Sequence, residues 1–218
     1  MDFNPLDLIL HLDVYLDMLV TNYGTWVYAI LFLVIFCETG LVVMPFLPGD
    51  SLLFIAGAVA AGGAMDPLLL AGLLMLAAIL GDSTNYLIGR TAGEKLFSNP
   101  NSKIFRRDYL QQTHDFYDKH GGKTVTLARF LPIIRTFAPF VAGVGKMNYL
   151  RFLGFSVLGT VLWVGGLVTL GYFFGNVPFI KQNLSLLVVG IILVSLLPMI
   201  ISLVRSKMSQ RASKAESR

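Results

Sequence analysis

Long apolar runs separated by short polar segments dominate the hydrophobic pattern of this chain. Uninterrupted runs extend from about Thr25 to Glu38, over residues 67–90, over about 150–175 and over about 184–204. The longer runs exceed what a core helix of a soluble protein needs, and they match the thickness of a bilayer. The pattern therefore predicts an all-α membrane protein with about four transmembrane helices.

Two further apolar segments, at about 43–63 and 124–147, are interrupted. The interrupting residues are Pro45, Pro48, Gly49, Pro132 and Pro139. Proline breaks a helix, and irregular backbone at membrane depth is tolerated where protein or water covers it. Each segment is therefore predicted to be a re-entrant helical hairpin.

The two interrupted segments also resemble each other. Phe46-Leu47-Pro48 in the first matches Phe130-Leu131-Pro132 in the second, and each segment precedes a span that contains glycines. Matched, interrupted segments in the two halves of a membrane protein point to a transport site. If residues 91–123 are inside the cell, the first hairpin opens outward and the second inward, so the repeat is inverted.

The remaining segments complete the organisation. Residues 1–22 alternate aspartate with apolar residues, which is typical of an amphipathic helix on a membrane surface. Residues 23–205 form the predicted transmembrane domain. Basic residues concentrate in the loop at 91–123 and in the tail at 206–218. Because short loops rich in Lys and Arg stay inside, we expect both segments and both termini to be cytoplasmic.

Composition agrees with this class. Of 218 residues, 55% are hydrophobic and 14% are charged, with a net charge of +4. Positive-inside topology accounts for the basic tail, so no nucleic-acid partner is expected. Cys37 is the only cysteine, which excludes an intrachain disulfide and argues against a cysteine-based metal site. The N-terminus is acidic, so no secretory signal peptide is expected.

Charges near the apolar runs are segregated by sign. The first half carries the acids Glu38, Asp50 and Asp82, whereas the second half carries Arg129 and Arg135 with no acid near them in sequence. Charge inside a bilayer is costly and usually marks a functional site. This segregation predicts pairing between the halves, around an anionic or proton-coupled substrate.

Arg129 and Arg135 are candidates for substrate binding. They are six residues apart with Pro132 between them. Two guanidinium groups that converge on one cavity suit a phosphate, which accepts paired hydrogen bonds. The alternative is that both arginines form structural ion pairs with Glu38 and Asp50. A resting state paired to acids and a bound state paired to phosphate satisfies both readings.

Glu38 and Asp50 are candidates for proton coupling, since they flank the first interruption. The proton affinity of a carboxyl group depends on its burial and on neighbouring arginines, so two acids in different surroundings can form a relay. The alternative role for Asp50 is a helix N-cap. Asp82, Ser51 and Asn85 are candidates for a polar lining, with interhelical hydrogen bonding as the alternative.

Two other residue types have structural interpretations. Trp26 and Trp163 fit either the aromatic belt at the membrane surface or packing within the helix bundle. The glycines of the third span, Gly171 among them, predict close helix packing. The sequence contains no convincing enzyme motif, so we expect neither an enzyme nor a bound cofactor or metal.

Several motifs together strongly resemble the DedA family of bacterial inner-membrane proteins, which carry a VTT domain. The first is Glu38-x-Gly40 followed by Pro45-Phe-Leu-Pro48-Gly49-Asp50-Ser51. The second is Ala128-Arg129-Phe-x-Pro132-x-x-Arg135 followed by Ala142-Gly143. The resemblance covers nearly the whole chain, including residues 99–107 and Gly-Tyr-Phe-Phe-Gly at 171–175.

The resemblance implies a fold and a function. It implies two inverted re-entrant hairpins and a role in returning undecaprenyl phosphate, the carrier lipid of cell-wall synthesis, across the inner membrane. The two acids and two arginines on which the family depends correspond to Glu38, Asp50, Arg129 and Arg135. We therefore predict a proton-coupled flippase that returns undecaprenyl phosphate from the outer to the inner leaflet.

Two alternative functions remain open at this stage. One is a non-selective phospholipid scramblase, and the other is a proton-dependent small-ion antiporter in pH and osmotic homeostasis. The expected partners are an anionic lipid, protons and the surrounding membrane lipids. The sequence is also compatible with a homodimer.

Overall fold

The computed structural model describes residues 12–41, 49–96, 121–175, 177–178 and 190. Every secondary-structure element in these ranges is a helix, in agreement with the predicted all-α class. The helices are α1 (Leu12–Tyr23), α2 (Trp26–Gly40), α3 (Gly49–Ala61), α4 (Pro67–Leu96), α5 (Lys123–Ala128), α6 (Pro132–Val144), α7 (Tyr149–Thr160) and α8 (Gly166–Phe174), with a π-helical turn at Val161–Gly165. The predicted fourth span and the basic tail lie outside the described residues, apart from position 190.

In the part of the chain that the structure describes, two helices are long and apolar enough to cross a bilayer. One is Pro67–Ala92, and the other is Tyr149–Phe174, which runs through α7, the π turn and α8. Each contains 26 residues. At a rise of 1.5 Å per residue such a helix is about 39 Å long, against a hydrocarbon core of about 30 Å. These helices correspond to the runs at 67–90 and about 150–175.

Of the N-terminal helices, α2 packs on the first of these long helices, and α1 packs on α2 and α3. α2 corresponds to the apolar run predicted from about Thr25, and it extends two residues past Glu38 to Gly40. Gly24, with φ +51°, allows the turn between α1 and α2, since glycine adopts this conformation without strain. Leu16 on α1 is buried in the apolar core. Residues 1–11 of the predicted amphipathic helix lie outside the described residues.

The second interrupted segment has its break at the predicted position. α5 ends at Ala128 and α6 begins at Pro132, with Leu131 in an extended conformation between them. Extended backbone is what the residue before a proline prefers. The break predicted at Pro139 was wrong, because α6 continues through it. Membrane helices tolerate an internal proline where neighbouring helices support the backbone.

Paired glycines hold α3 directly against α8. Gly57 faces the carbonyl oxygen of Val168, and Gly171 faces that of Phe54, so closely that an added methyl group would overlap it. This contact confirms the close packing predicted for Gly171. The helix after the first interruption therefore packs on the span of the second half, and we call this pair the α3–α8 unit.

The same arrangement joins α6 to α4. Gly89 faces the carbonyl of Phe140, and Gly143 faces that of Tyr86, again with no room for a methyl group. The helix after the second interruption therefore packs on the span of the first half. The two halves of the chain are interlocked because each packs its short helix on the long helix of the other.

Asn85 fastens α2 to α4 and α6. Its side-chain amide on α4 donates to the carbonyl oxygens of Thr39 on α2, at 3.1 Å, and of Thr136 on α6, at 2.7 Å. Gly40 and Gly81 bring the backbones of α2 and α4 together at the same level. We call this group the α2–α4–α6 unit. Asn85 thus makes interhelical hydrogen bonds, the alternative to the polar lining.

We expect Gly89→Ala to lower the thermal stability of the detergent-solubilised protein, because the added methyl group overlaps the Phe140 carbonyl. Overpacking of this kind costs about 1–3 kcal/mol. Gly72→Ala on the same helix is the matched control, since its methyl group enters open space. Circular dichroism during heating measures both midpoints, and equal midpoints would contradict the backbone contact between α4 and α6.

Candidate functional site

Most of the charged side chains predicted as site residues are buried in the structure. The exposed fraction is 1% for Glu38, 1% for Asp82, 3% for Arg129 and 7% for Arg135. Asp50 is partly exposed. A buried charge is strongly destabilising unless an opposite charge and hydrogen bonds compensate it. The fold therefore has to bring these five side chains together so that opposite charges are paired.

Arg135 bridges two acids from different helices. It lies in the first turn of α6, and its Nη2 donates to Oε1 of Glu38 at 2.5 Å. Its Nη1 donates to Oδ1 of Asp50 at 2.6 Å. Glu38 comes from the last turn of α2 and Asp50 from the first turn of α3. One guanidinium group thus joins both interrupted segments, as the ion-pair alternative predicted for this arginine.

Arg129 has a different partner from the one that the ion-pair alternative assigned to it. It follows α5 directly, and its Nη2 donates to Oδ2 of Asp82 on α4. Ser156 on α7 donates to the same carboxylate oxygen at 2.6 Å. The break before α6 separates the two arginines, so they reach different acids. Gly159 leaves room for Arg129, since a Cβ there would lie 3.2 Å from its Nε.

Trp163 is a member of the site that the sequence interpretation did not include. It is 5% exposed, so its position is not that of a membrane-surface belt residue, whereas Trp26 is 72% exposed. The indole N–H donates to Oδ1 of Asp50 at 2.8 Å. The Cζ atom of Arg135 lies 4.3 Å from the centre of the indole, and that of Arg129 lies 5.7 Å away.

Glu38 and Ser51 lie where the first turn of α3 leaves space. A methyl group at Gly49 would overlap the Glu38 carboxylate, so only glycine permits this approach. Ser51, a candidate for the polar lining, is buried. Several buried polar atoms have no hydrogen-bond partner among the described residues. They are Glu38 Oε2, Ser51 Oγ, Asn85 Oδ1, Arg129 Nη1 and Arg135 Nε.

The charges in this cluster do not balance. Among the described residues it contains three carboxyl groups and two guanidinium groups. With every group ionised, the excess is one negative charge, which a proton or another cation can neutralise. In the described part of the chain, no three His, Cys, Asp or Glu side chains come together to hold a metal ion.

The cluster can perform two kinds of chemistry. Arg129 Nη1 and Arg135 Nε are donors with capacity for an added anion. An anion that takes over the arginines leaves the carboxylates unpaired, and unpaired buried carboxylates bind protons. The arrangement of the ion pairs can therefore couple anion binding to proton uptake.

Comparison with known proteins gives a consistent result. Residues 47–173 match the family model described as the VTT domain. Protein DedA of Escherichia coli K12 is 60% identical over 212 residues, which cover 96% of this chain and 97% of that protein. No solved structure matches the chain significantly.

Two more distant relatives extend this similarity. An uncharacterized membrane protein of Mycobacterium leprae is 47% identical over 84% of this chain and 82% of its own length. Inner membrane protein YqjA of Escherichia coli K12 is 38% identical over 72% of this chain and 71% of its own length. The chain is therefore a membrane protein that belongs to the DedA family of VTT-domain proteins, as its motifs predicted.

Proposed function

We propose that this protein is a flippase, and not an enzyme, that returns undecaprenyl phosphate from the outer to the inner leaflet of the bacterial inner membrane. The observation that carries the proposal is the buried cluster in which Arg135 joins Glu38 to Asp50 across both interrupted segments. Such a cluster is costly to build, and a transport site is the usual reason for one inside a membrane protein.

The phosphate headgroup binds between the two arginines in this proposal. Arg135 exchanges its carboxylate partners for phosphate oxygens, and Arg129 contributes the Nη1 donor that has no partner among the described residues. Arginine suits this role because its planar donors match two phosphate oxygens. The released Glu38 and Asp50 take up protons, so that inward movement of the lipid is coupled to inward movement of protons.

The isoprenoid tail stays in the bilayer in this proposal. An apolar stripe of Leu127, Phe130, Ile134 and Phe137 is exposed on the second interrupted segment, next to the arginines. Ile134 and Phe137 are three residues apart in α6 and so share one side of that helix, and Leu127 and Phe130 precede the break. A long apolar tail can therefore remain in lipid along this stripe while the headgroup alone enters the polar cluster.

The proposed topology gives alternating access to the cluster. The chain crosses the membrane about four times, and the two interrupted segments are re-entrant hairpins that open to opposite sides. Both termini and the loop at 91–123 are cytoplasmic. The interlocked packing of α3 on α8 and of α6 on α4 supports this proposal, since each hairpin can then move together with one span.

A proton-dependent ion antiporter is a second candidate, because among the described residues the cluster carries one more carboxyl group than it has guanidinium groups. The excess charge attracts a cation in the absence of any lipid. Selective lipid binding separates the two functions, since only the flippase requires the phosphate headgroup to enter the cluster.

We expect undecaprenyl phosphate to bind the purified protein and Arg135→Gln to weaken this binding about 10- to 100-fold, the effect of losing charge-assisted hydrogen bonds. Arg151→Gln is the control, since Arg151 is exposed and outside the cluster. Native mass spectrometry measures binding beside phosphatidylglycerol and undecaprenyl pyrophosphate. Equal binding of the three lipids, unchanged by Arg135→Gln, would favour the scramblase or the antiporter.

We expect binding of undecaprenyl phosphate to be accompanied by net proton uptake, because the released carboxylates become unpaired in a buried site. Calorimetric titration in buffers of different ionisation enthalpy measures this uptake. Glu38→Gln should reduce the uptake and weaken the dependence of transport on the proton gradient. Binding heats that are the same in all buffers would contradict proton uptake on binding. Transport by Glu38→Gln that follows the proton gradient as the wild type does would contradict the coupling of transport to protons.

We expect Asp82→Asn and Arg129→Gln each to destabilise the protein by about 3–5 kcal/mol, since each leaves the partner charge buried and unpaired. The double variant should recover much of this stability, because it removes both charges. Its transport should remain lost, since Arg129 is gone. Thermal unfolding and a liposome transport assay measure the two properties, and recovery of transport in the double variant argues that the pair is structural only.

A further inference from the structure

Trp163 lies at the boundary between the two packed units. It belongs to the π turn that leads directly into α8, and its N–H donates to Asp50 on α3, so it is joined to the α3–α8 unit through both helices. Its ring faces Arg135, which belongs to the α2–α4–α6 unit. Asp50 and Trp163 therefore contact Arg135 from one side of this boundary, whereas Glu38 contacts it from the other.

The π turn places this indole in the interior. Trp163 and Gly171 are eight residues apart, and in a regular α-helix they would differ by roughly 80° around the axis. Both are buried, with Gly171 against α3 and Trp163 against the ion pairs. The wider turn at Val161–Gly165 reduces this angle. Single π turns inside α-helices occur frequently at functional sites.

Three contacts meet at one point as a result. Arg135 donates to Asp50, Trp163 donates to the same Oδ1 atom, and the guanidinium of Arg135 lies 4.3 Å from the indole centre. A guanidinium over an indole face is a favourable cation–π contact, which is stronger away from water. The indole thus stabilises the acid and the arginine in their paired arrangement.

We propose that Trp163 is a positioning residue that keeps Asp50 and Arg135 paired while the site is empty, and that its contacts rearrange when a phosphate headgroup binds. This role rests on the proposed function. A phosphate that takes Arg135 from Asp50 removes an ion pair that joins the two units, so their boundary is weakened only when the site is occupied. Trp163 thereby couples occupancy to movement of the hairpins.

The first test uses the protein's own fluorescence. The chain has two tryptophans, and Trp26 is exposed at the start of α2, so Trp26→Phe leaves Trp163 as the only tryptophan. We expect undecaprenyl phosphate to shift or quench the emission of this variant with saturation. Undecaprenol, which lacks the phosphate, should have no effect, and neither should the phosphate lipid on Trp26→Phe combined with Arg135→Gln.

Native mass spectrometry on the same sample separates the possible failures. Bound undecaprenyl phosphate with unchanged emission would overturn the role of Trp163 and leave the proposed function intact. Absence of bound lipid would overturn the proposed function. It would also overturn the role of Trp163, because that role requires a phosphate to bind at this site. Trp163 is unaltered in this experiment, so the result does not depend on whether a variant at that position folds.

The second test is Trp163→Phe, which retains a ring but removes the N–H donor. If the indole stabilises the empty paired state, its loss should tighten binding of undecaprenyl phosphate about tenfold, the size expected for one hydrogen bond to a charged group. The transport rate should fall at the same time, because occupancy no longer controls the release. Trp26→Phe is the control and should change neither quantity. Weaker binding by Trp163→Phe would show a structural role and overturn the proposal.

Discussion

Burial of Arg135 is the constraint on which the rest of the structure depends. A guanidinium group cannot lose its proton in a protein, so removal from water obliges the fold to supply anionic partners. Glu38 and Asp50 supply them from two different helices. This one side chain therefore fixes the end of α2, the start of α3 and the start of α6 relative to one another, and the glycines nearby have to permit the approach.

Backbone contacts at glycine make that approach possible. α3 lies on α8 and α6 lies on α4, in each case through a pair of glycines. Apolar side chains gain little from one another in lipid, so close backbone packing and polar contacts carry much of the association of membrane helices. The exchange of short helices between the halves brings acids from the first half to the arginines of the second. The packing of each short helix on the other half therefore also determines which charges can pair.

The same contacts that stabilise the resting fold have to change in the proposed transport cycle. Glu38 stays within the α2–α4–α6 unit with Arg135, whereas Asp50 and Trp163 contact this arginine from the α3–α8 unit. A ligand that competes for the arginine therefore weakens the boundary between the units more than either unit itself. The ion pair between Arg135 and Asp50 at this boundary can be both a structural element and a gate, because a phosphate can replace Asp50 as the partner of Arg135.

The sequence by itself determined the all-α membrane class, two of the spans, the break before Pro132 and the family, because apolar length, proline and family motifs are local properties of the chain. The tertiary structure alone decided which acid meets which arginine: Arg129 pairs with Asp82, 47 residues away, and Arg135 with Glu38 and Asp50. It also placed Trp163 in the cluster and carried α6 through Pro139. Such pairings depend on which helices pack together, so the segregation of charge indicated pairing between the halves without distinguishing the partner of Arg129 from those of Arg135.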